Sequence, residues 1–310
     1  MRNYYLGIDT SNYTTSVGLV DQFGNGIADK RKLLTVKKGN RGLRQSEAFF
    51  QHIENIPDLY EEAIKDIDKS QIKCVCVSSR PRSVEGSYMP VFKAGMAVSQ
   101  VIAASLGVPL FTCSHQEGHM KAITAFNNVG DDFICYHMSG GTTEILDVHY
   151  DQTLKKYHTK IIGGTLDISF GQLIDRVGVA LGMSFPAGAQ MDNLAQSAKQ
   201  FDLKVKHIKV KNLDFNLSGI ETQLIKSIEN NCPEAIAKEL FTKINLCLQK
   251  TVDNLQMQGN NKKIVFVGGV SQSKYIRDNI DREIIFGKFG SDNAIGTALI
   301  GGEIYGGKTY

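Results

Sequence analysis

Phe133-Ile-Cys-Tyr-His-Met-Ser-Gly-Gly-Thr-Thr-Glu-Ile-Leu-Asp147 reads as a strand, a glycine- and threonine-rich turn, and a returning strand. The opening of the chain has the same plan. Tyr4-Tyr-Leu-Gly-Ile-Asp9 is an apolar strand ending in an acid, Thr10-Ser-Asn-Tyr-Thr-Thr15 is a hydroxyl-rich turn, and Ser16-Val-Gly-Leu-Val-Asp21 returns from it. In the second turn two glycines let backbone N–H groups come close to phosphate oxygens. In the first, Asp9 stands where it can hold a cation or orient a nucleophile. Either loop alone is no more than a turn. Two of them, each opening a half of the chain, predict a duplicated α/β core of the ribonuclease-H-like kind with a nucleotide cleft between the halves.

Bulk properties agree. The chain has 310 residues, room for two domains that each bury a core, with 42% hydrophobic and 22% charged residues, the composition of a soluble globular protein, for which disorder is not the default. A net charge of +3 permits nucleic-acid contact without arguing for it. The six cysteines are scattered, mostly in apolar runs, and Cys74 and Cys76 alternate as in a strand rather than as a ligand pair. With neither a signal peptide nor a membrane-length apolar run, the expectation is a reduced, cytoplasmic protein that meets no membrane.

Between the hairpins, residues 30–44 carry seven basic groups and no acid, which fits either a tRNA-like polyanion or a solvated surface. Ser46–Lys69 has helical apolar spacing, with Pro57 expected at a break or a first turn. Lys73–Ser78 reads as a buried strand, the loop Ser79–Tyr88 carries Arg80 and Arg82, and Val91–Leu106 reads as a helix. Val108–Phe111 then delivers Thr112-Cys-Ser-His115-Gln-Glu-Gly-His119. Ser114 and Glu117 have capping-box spacing, so a helix starting there places His115 and His119 one turn apart, able to share one metal ion. Two unrelated surface histidines would look the same. A zincin protease needs Glu directly after the first His, where this chain has Gln116, so the protease mechanism is excluded.

Downstream, a helix carries Asp175, Pro186-Ala-Gly188 leads to a helix with Asp192, and 204–211 looks extended and basic. Asn212–Gly219 reads as a loop before another helix, and Ala235–Met257 as a long amphipathic helix. Lys263–Val267 is a buried strand whose Gly268-Gly-Val-Ser-Gln-Ser273 sequel opens a helix, a place for an adenosine. Asp292 heads the last helix as a third metal ligand or as an N-cap.

Together these stretches resemble the tRNA threonylcarbamoyladenosine transferase (TsaD-like) family, formerly the glycoprotease or O-sialoglycoprotein endopeptidase family. The likeness runs in order over nearly the whole chain: the HxxGH stretch, Ser139-Gly-Gly-x-Thr143, the Asp175 helix, Pro186-x-Gly188, Asp214-Phe-x-x-Ser-Gly219, Gly268-Gly-Val270 and Ser291-Asp-Asn-Ala294. It implies a two-lobed ASKHA fold, kin to actin, Hsp70 and sugar kinases. The lobes would be 1–112, with the C-terminal helix 292–310 able to complete it, and 113–291. It also implies one divalent iron or zinc ion on His115, His119 and Asp292, and an adenine nucleotide: threonylcarbamoyl-AMP, or ATP or AMP. His137 falls where some members carry a tyrosine near the metal, and is either a fourth ligand or a packed strand histidine. Asp9, Ser139, Gly140 and Gly141 would take part in chemistry. Thr142, Thr143, Asp175, Gly188, Asp192, Gly268, Gly269 and Ser273 would hold the nucleotide. The reaction implied is transfer of a threonylcarbamoyl group from its AMP anhydride to an adenosine amine in tRNA, with residues 30–44 on the tRNA backbone and partner proteins of a threonylcarbamoylation system. Dimerisation is left open.

The chain departs from the family's pattern at Asn12-Tyr-Thr14, Arg80-Pro-Arg82, Thr142, Gln172, Arg176 and Ser273, as a divergent paralogue would. The two arginines point to a more acidic acyl group or a different phosphate contact. Two other readings follow, a carbamoyltransferase for another acceptor and a non-catalytic nucleotide-binding scaffold beside a true transferase. The retained histidine pair speaks against the scaffold, and also against a kinase of the same fold.

Overall fold

The first strand, β1 (Tyr4–Asp9), is buried along its whole length and lies at the centre of a five-stranded sheet. It pairs antiparallel with β2 (Thr14–Asp21), which pairs antiparallel with the edge strand β3 (Gly26–Leu33). On its other side β1 runs parallel to β4 (Ile72–Arg80), followed by β5 (Leu110–Ser114). In a computed structural model, which describes residues 2–11, 13–37, 42–198, 207–287 and 294–306, the second half repeats this order. There β8 (Lys156–Thr165), β7 (Thr143–Asp151), β6 (Asp132–Met138), β11 (Lys263–Val267) and β12 (Ile285–Phe286) take the places of β3, β2, β1, β4 and β5, with the same parallel and antiparallel senses. Two short strands, β10 (Asp214–Phe215) and β9 (Val210–Lys211), extend the far edge. The duplication read from the two hairpins is therefore present at the level of whole sheets.

Each sheet is covered on both faces, which is why its central strands are apolar throughout rather than alternating. On the first sheet, Leu6, Ile8, Val17 and Leu19 face helices α1 (Gln45–Ile64) and α2 (Phe92–Leu106), packing with Leu59, Ala63 and Ala103. Tyr5 and Val20 face the other way, onto α9 (Ile295–Gly306). Gly7 and Gly18 are partners across the β1–β2 ladder, and an added Cβ on Gly7 would lie 2.3 Å from the Ala294 carbonyl oxygen. Glycine is required at this pair because the start of α9 lies directly on the strands.

On the second sheet, α4 (Phe170–Ala180), α5 (Gly188–Ser197), α6 (Ser218–Ser227), α7 (Pro233–Met257) and the short α8 (Lys274–Asn279) enclose the larger core. The opposite face is covered by α3 (His115–Thr124), whose Met120 and Ile123 pack on Phe133, Cys135, Leu146 and Val265. Helices α3 and α9 thus lie between the sheets and touch each other, at Gly118 and Gly296. Deeper along the crossing, Lys121 and Glu303 form a fully buried ion pair, and the Tyr150 hydroxyl donates to Glu303 at 2.9 Å. A buried pair of this kind is tolerated when further hydrogen bonds satisfy it, and it fixes how the two helices meet.

Several local expectations need correction. Helix α1 runs through Pro57 without ending, with that residue on the exposed side of the helix. Strand β8 and the two-residue strands β10 and β12 have no clear period in the sequence. The expected extended segment 204–211 is a strand only at Val210–Lys211, with 204–206 outside the described residues. The segment after Gly268 is a 3-10 turn, Gly269–Gln272, before α8 begins.

Candidate metal centre and adjoining cavity

Strand β5 ends at Ser114, and the expected capping box forms there. Ser114 Oγ accepts from the Glu117 N–H at 3.2 Å, and the Glu117 carboxylate accepts from the Ser114 N–H at 2.7 Å. The loop after β4 reinforces this helix start, since the Gln116 N–H donates to the Pro81 carbonyl at 3.1 Å and the Ser83 and Ser114 hydroxyls bond at 3.1 Å. Helix α3 therefore leaves at a fixed angle, with His115 and His119 on one face and their Nε2 atoms 2.9 Å apart. From the second sheet, β6 brings His137 to the same place, and one ring nitrogen of each histidine lies within 4.8 Å of the other two.

The surroundings fit a cation. His137 Nε2 is buried and has no hydrogen-bond partner among the described residues, a costly state for a polar atom unless something else engages it. Burial first, and then the neighbours His119, His115 and Arg82, push the His137 imidazole well below its usual pKa, so the ring is a neutral donor. Three converging imidazoles suit zinc or a similar borderline first-row ion. Asp292 lies outside the described residues.

Asp9, at the end of β1, touches this group from the other lobe. Its Oδ2 is 2.8 Å from His115 Nδ1, and its Oδ1 accepts from the Ser11 N–H at 2.8 Å. Burial alone would raise the Asp9 carboxyl, but His115 and Ser11 outweigh it and hold the group well below the usual carboxylate range. Ser11 Oγ lies 3.4 Å from His115 Nε2. Two further hydroxyls of this hairpin, those of Thr10 and Thr15, are engaged within the protein. Thr10 Oγ1 donates to the Val91 carbonyl and accepts from the Gly95 N–H, while Thr15 Oγ1 bonds His52 and Asn55 on α1.

The second turn is tight. Ser139 Oγ accepts from the N–H groups of Gly141 and Thr142, and Thr143 Oγ1 accepts from the Phe170 N–H at the start of α4. Ser139 and Gly140 line a cavity of about 490 Å³ between the lobes. Asp175, Gly188, Asp192, Gly269 and Ser273 line it from the second lobe, and Tyr13, Thr14 and Leu33 from the first. Gly141, Thr142, Thr143 and Gly268 stand outside that lining. Gly268 has φ +88° with its backbone against the Met138 carbonyl, so glycine is needed there for close strand packing. Asp192 holds the start of α8, accepting from the N–H groups of Lys274 and Tyr275, both at 3.0 Å, and from the Ser273 hydroxyl. Asp175 accepts from the Ala187 N–H at 2.8 Å, and burial pushes its carboxyl up to about 6.

Some residues that sequence alone set apart have local partners. Gln172 completes a capping box with Ser169, and Arg176 pairs with Glu221 at 3.1 Å. Arg82 is paired with Glu144 across the lobes, and Arg80 lies 3.9 Å from Glu117, so both arginines already face carboxylates. Sequence reading missed the Tyr13–Phe185 aromatic contact, ring centroids 4.9 Å apart, which joins the lobes at the cavity wall. No local pattern could have signalled it. Of the basic segment 30–44, residues 38–41 lie outside the described residues, and Lys30 and Arg31 pair with Glu62 and Asp29. No helix among the described residues is long and apolar enough to cross a membrane.

Known proteins resemble this chain in sequence and in fold. A tRNA N6-adenosine threonylcarbamoyltransferase of Neorickettsia sennetsu is 27% identical over 89% of this chain and 83% of its own length, and one of Thermotoga neapolitana is 26% identical over 96% and 93%. Component A of the (R)-2-hydroxyglutaryl-CoA dehydratase of Acidaminococcus fermentans superposes with a TM-score of 0.59 at 13% identity, over 98% of this chain and 99% of its own. That likeness shows the fold, the two-lobed α/β architecture of the ASKHA proteins. Residues 31–297 match the family model for TsaD, tRNA N6-adenosine threonylcarbamoyltransferase. The chain belongs to this family of transferases.

Proposed function

We propose that this protein transfers a threonylcarbamoyl group from threonylcarbamoyl-AMP to the exocyclic amine of an adenosine in tRNA. The observation that carries the reading is the convergence of His115, His119 and His137 from a helix and a strand of one lobe, beside a cavity between the two lobes. These histidines, with Asp292 as a further candidate, are the residues to hold one divalent iron or zinc ion. When bound, that ion supplies a Lewis acid for the oxygens of the anhydride.

The chain's own residues do the rest. Residues 1–112 with the last helix form one lobe and 113–291 the other, and the nucleotide lies in the cavity between. Asp175 and Gly188 meet its ribose, and Gly269 and Ser273 its adenine, with Asp192 fixing α8 beneath them. Gly140 lines the cavity and offers its N–H to the carbamoyl oxygen, since those of Gly141 and Thr142 are turned to Ser139. The adenosine nitrogen forms a bond to the carbamoyl carbon, the bond from that carbon to the AMP phosphate oxygen breaks, AMP leaves with the electron pair, and the proton the amine gives up passes to the released phosphate or to solvent. The basic residues of 30–44 meet the tRNA backbone, and partner proteins of the same system supply the anhydride in the cytoplasm.

The test is transfer of labelled threonylcarbamoyl from its AMP anhydride to a tRNA transcript by the purified protein with its synthase partner. Label in N6-threonylcarbamoyladenosine is expected. Consumption of the anhydride only with a different nucleophile would point to the other-acceptor reading, and nucleotide binding without any transfer to the scaffold reading.

A further inference from the structure

Asp9 is placed unlike a group that meets substrate. It is 1% exposed, does not line the cavity, and both of its oxygens are engaged. Its position is also unusually fixed. It forms the last rung of the β1–β2 ladder opposite Ser16, two residues beyond the Gly7–Gly18 rung on which α9 rests. With Oδ1 held by the Ser11 N–H, the carboxylate cannot turn away from His115. An ionised carboxylate only accepts hydrogen bonds, so the ring atom 2.8 Å away, Nδ1, must carry a proton.

We propose that Asp9 is the positioning residue of the histidine centre: by taking the Nδ1 proton of His115 it locks that ring and its tautomer, so that Nε2 presents a lone pair to the point shared with His119 and His137. The inference deepens the metal reading above and rests on it. Its chemistry is that of a carboxylate behind a ligating histidine, which fixes the ring and strengthens it as a donor. It moves Asp9 from a direct part in the chemistry to a supporting one.

The arrangement makes an unusual prediction for substitutions. In Asp9→Asn the amide has one acceptor and one donor end. The Ser11 N–H requires the carbonyl oxygen, so the NH2 faces His115 Nδ1, and the ring proton moves to Nε2, where it blocks the metal. Asp9→Ala leaves the ring free to take either tautomer. The near-isosteric Asn should therefore bind metal more weakly than Ala, the reverse of what a merely structural role would give.

The experiment uses the full chain, metal-free and then titrated with Co(II), with histidine 15N NMR of the metal-free form. His115 of the wild type is expected as the Nδ1–H tautomer and that of Asp9→Asn as Nε2–H. Co(II) affinity is expected to fall about 10–100-fold in Asp9→Ala and further in Asp9→Asn, while Asp9→Glu keeps the wild-type tautomer. An Nε2–H tautomer in the wild type, or an Asp9→Asn protein binding Co(II) at wild-type strength, would overturn the proposal. A wild type with the Nδ1–H tautomer that binds no Co(II) would support the positioning of His115 and overturn the metal reading instead. The wild-type tautomer decides the matter even if the variants do not fold.

Discussion

The two hairpins, β1–β2 and β6–β7, hold the same place in their sheets and share ladder geometry, yet they meet different surroundings. The first is closed in by α1 and α2 on one face and α9 on the other. Its hydroxyls at Thr10 and Thr15 are engaged by those helices, and its acid supports a histidine of α3. The second carries His137 on its strand and opens its Ser139–Gly140 turn to the cavity. Duplication gave both halves the same scaffold, and packing on the turns divided the roles: the first hairpin positions, the second presents. A motif's place in a fold does not tell what its side chains do until the elements covering it are known.

That contrast can be broken experimentally. The largest expected effect is at the shared point. His137→Ala and His115→Ala should each lose the bound metal, although one residue comes from a helix and the other from a strand of the second sheet, as elemental analysis of the purified proteins would register. A loss confined to His115→Ala would return His137 to the strand core.

Next come two substitutions that should separate stability from binding. Thr15→Val removes the hydroxyl that bonds His52 and Asn55 and should cost about 1–3 kcal/mol in denaturant unfolding, with nucleotide affinity unchanged. Gly171→Ala would place a Cβ 2.5 Å from the Ser139 carbonyl oxygen, pushing on the turn that lines the cavity. It should cost a similar ~1–3 kcal/mol of overpacking and also weaken AMP binding in calorimetry. Equal effects of the two on affinity would erase the division of roles.

The smallest effect is a pH signature of the cavity wall. Burial raises the Asp175 carboxyl to about 6 in the folded protein, so the folded state binds more protons than the unfolded one between about pH 4 and 6. Stability therefore falls as pH rises through that window, and the penalty is fully present above it. Asp175→Asn carries no charge. It should gain about 1–3 kcal/mol at pH 8, nothing near pH 4, and lose nucleotide affinity. A gain that does not depend on pH would contradict a buried charge as the cause.

Much of this architecture was legible in local sequence. The repeated strand–turn–strand plan, the Ser114–Glu117 capping box and the one-turn spacing of His115 and His119 are set by neighbours in the chain, where steric and hydrogen-bonding rules act directly. What escaped depends on contacts between distant segments. Asp9 and His115 are 106 residues apart, Tyr13 meets Phe185 from the other lobe, and Asp192 caps a helix that starts at Lys274. The arginines at 80 and 82 looked like ligand-binding groups until Glu117 and Glu144 were placed beside them. Local patterns predict elements, but they do not say which charges neutralise each other once the elements pack.

The most direct test of the account is the metal stoichiometry of the purified wild-type protein, measured with that of His119→Ala, whose ring centroid lies 4.3 Å from that of His115 and 5.4 Å from that of His137. One equivalent of iron or zinc in the wild type, absent from a variant with unchanged far-ultraviolet circular dichroism, is the predicted result. A folded wild type that holds no first-row metal after reconstitution, yet still binds AMP, would contradict the centre on which the proposed chemistry depends.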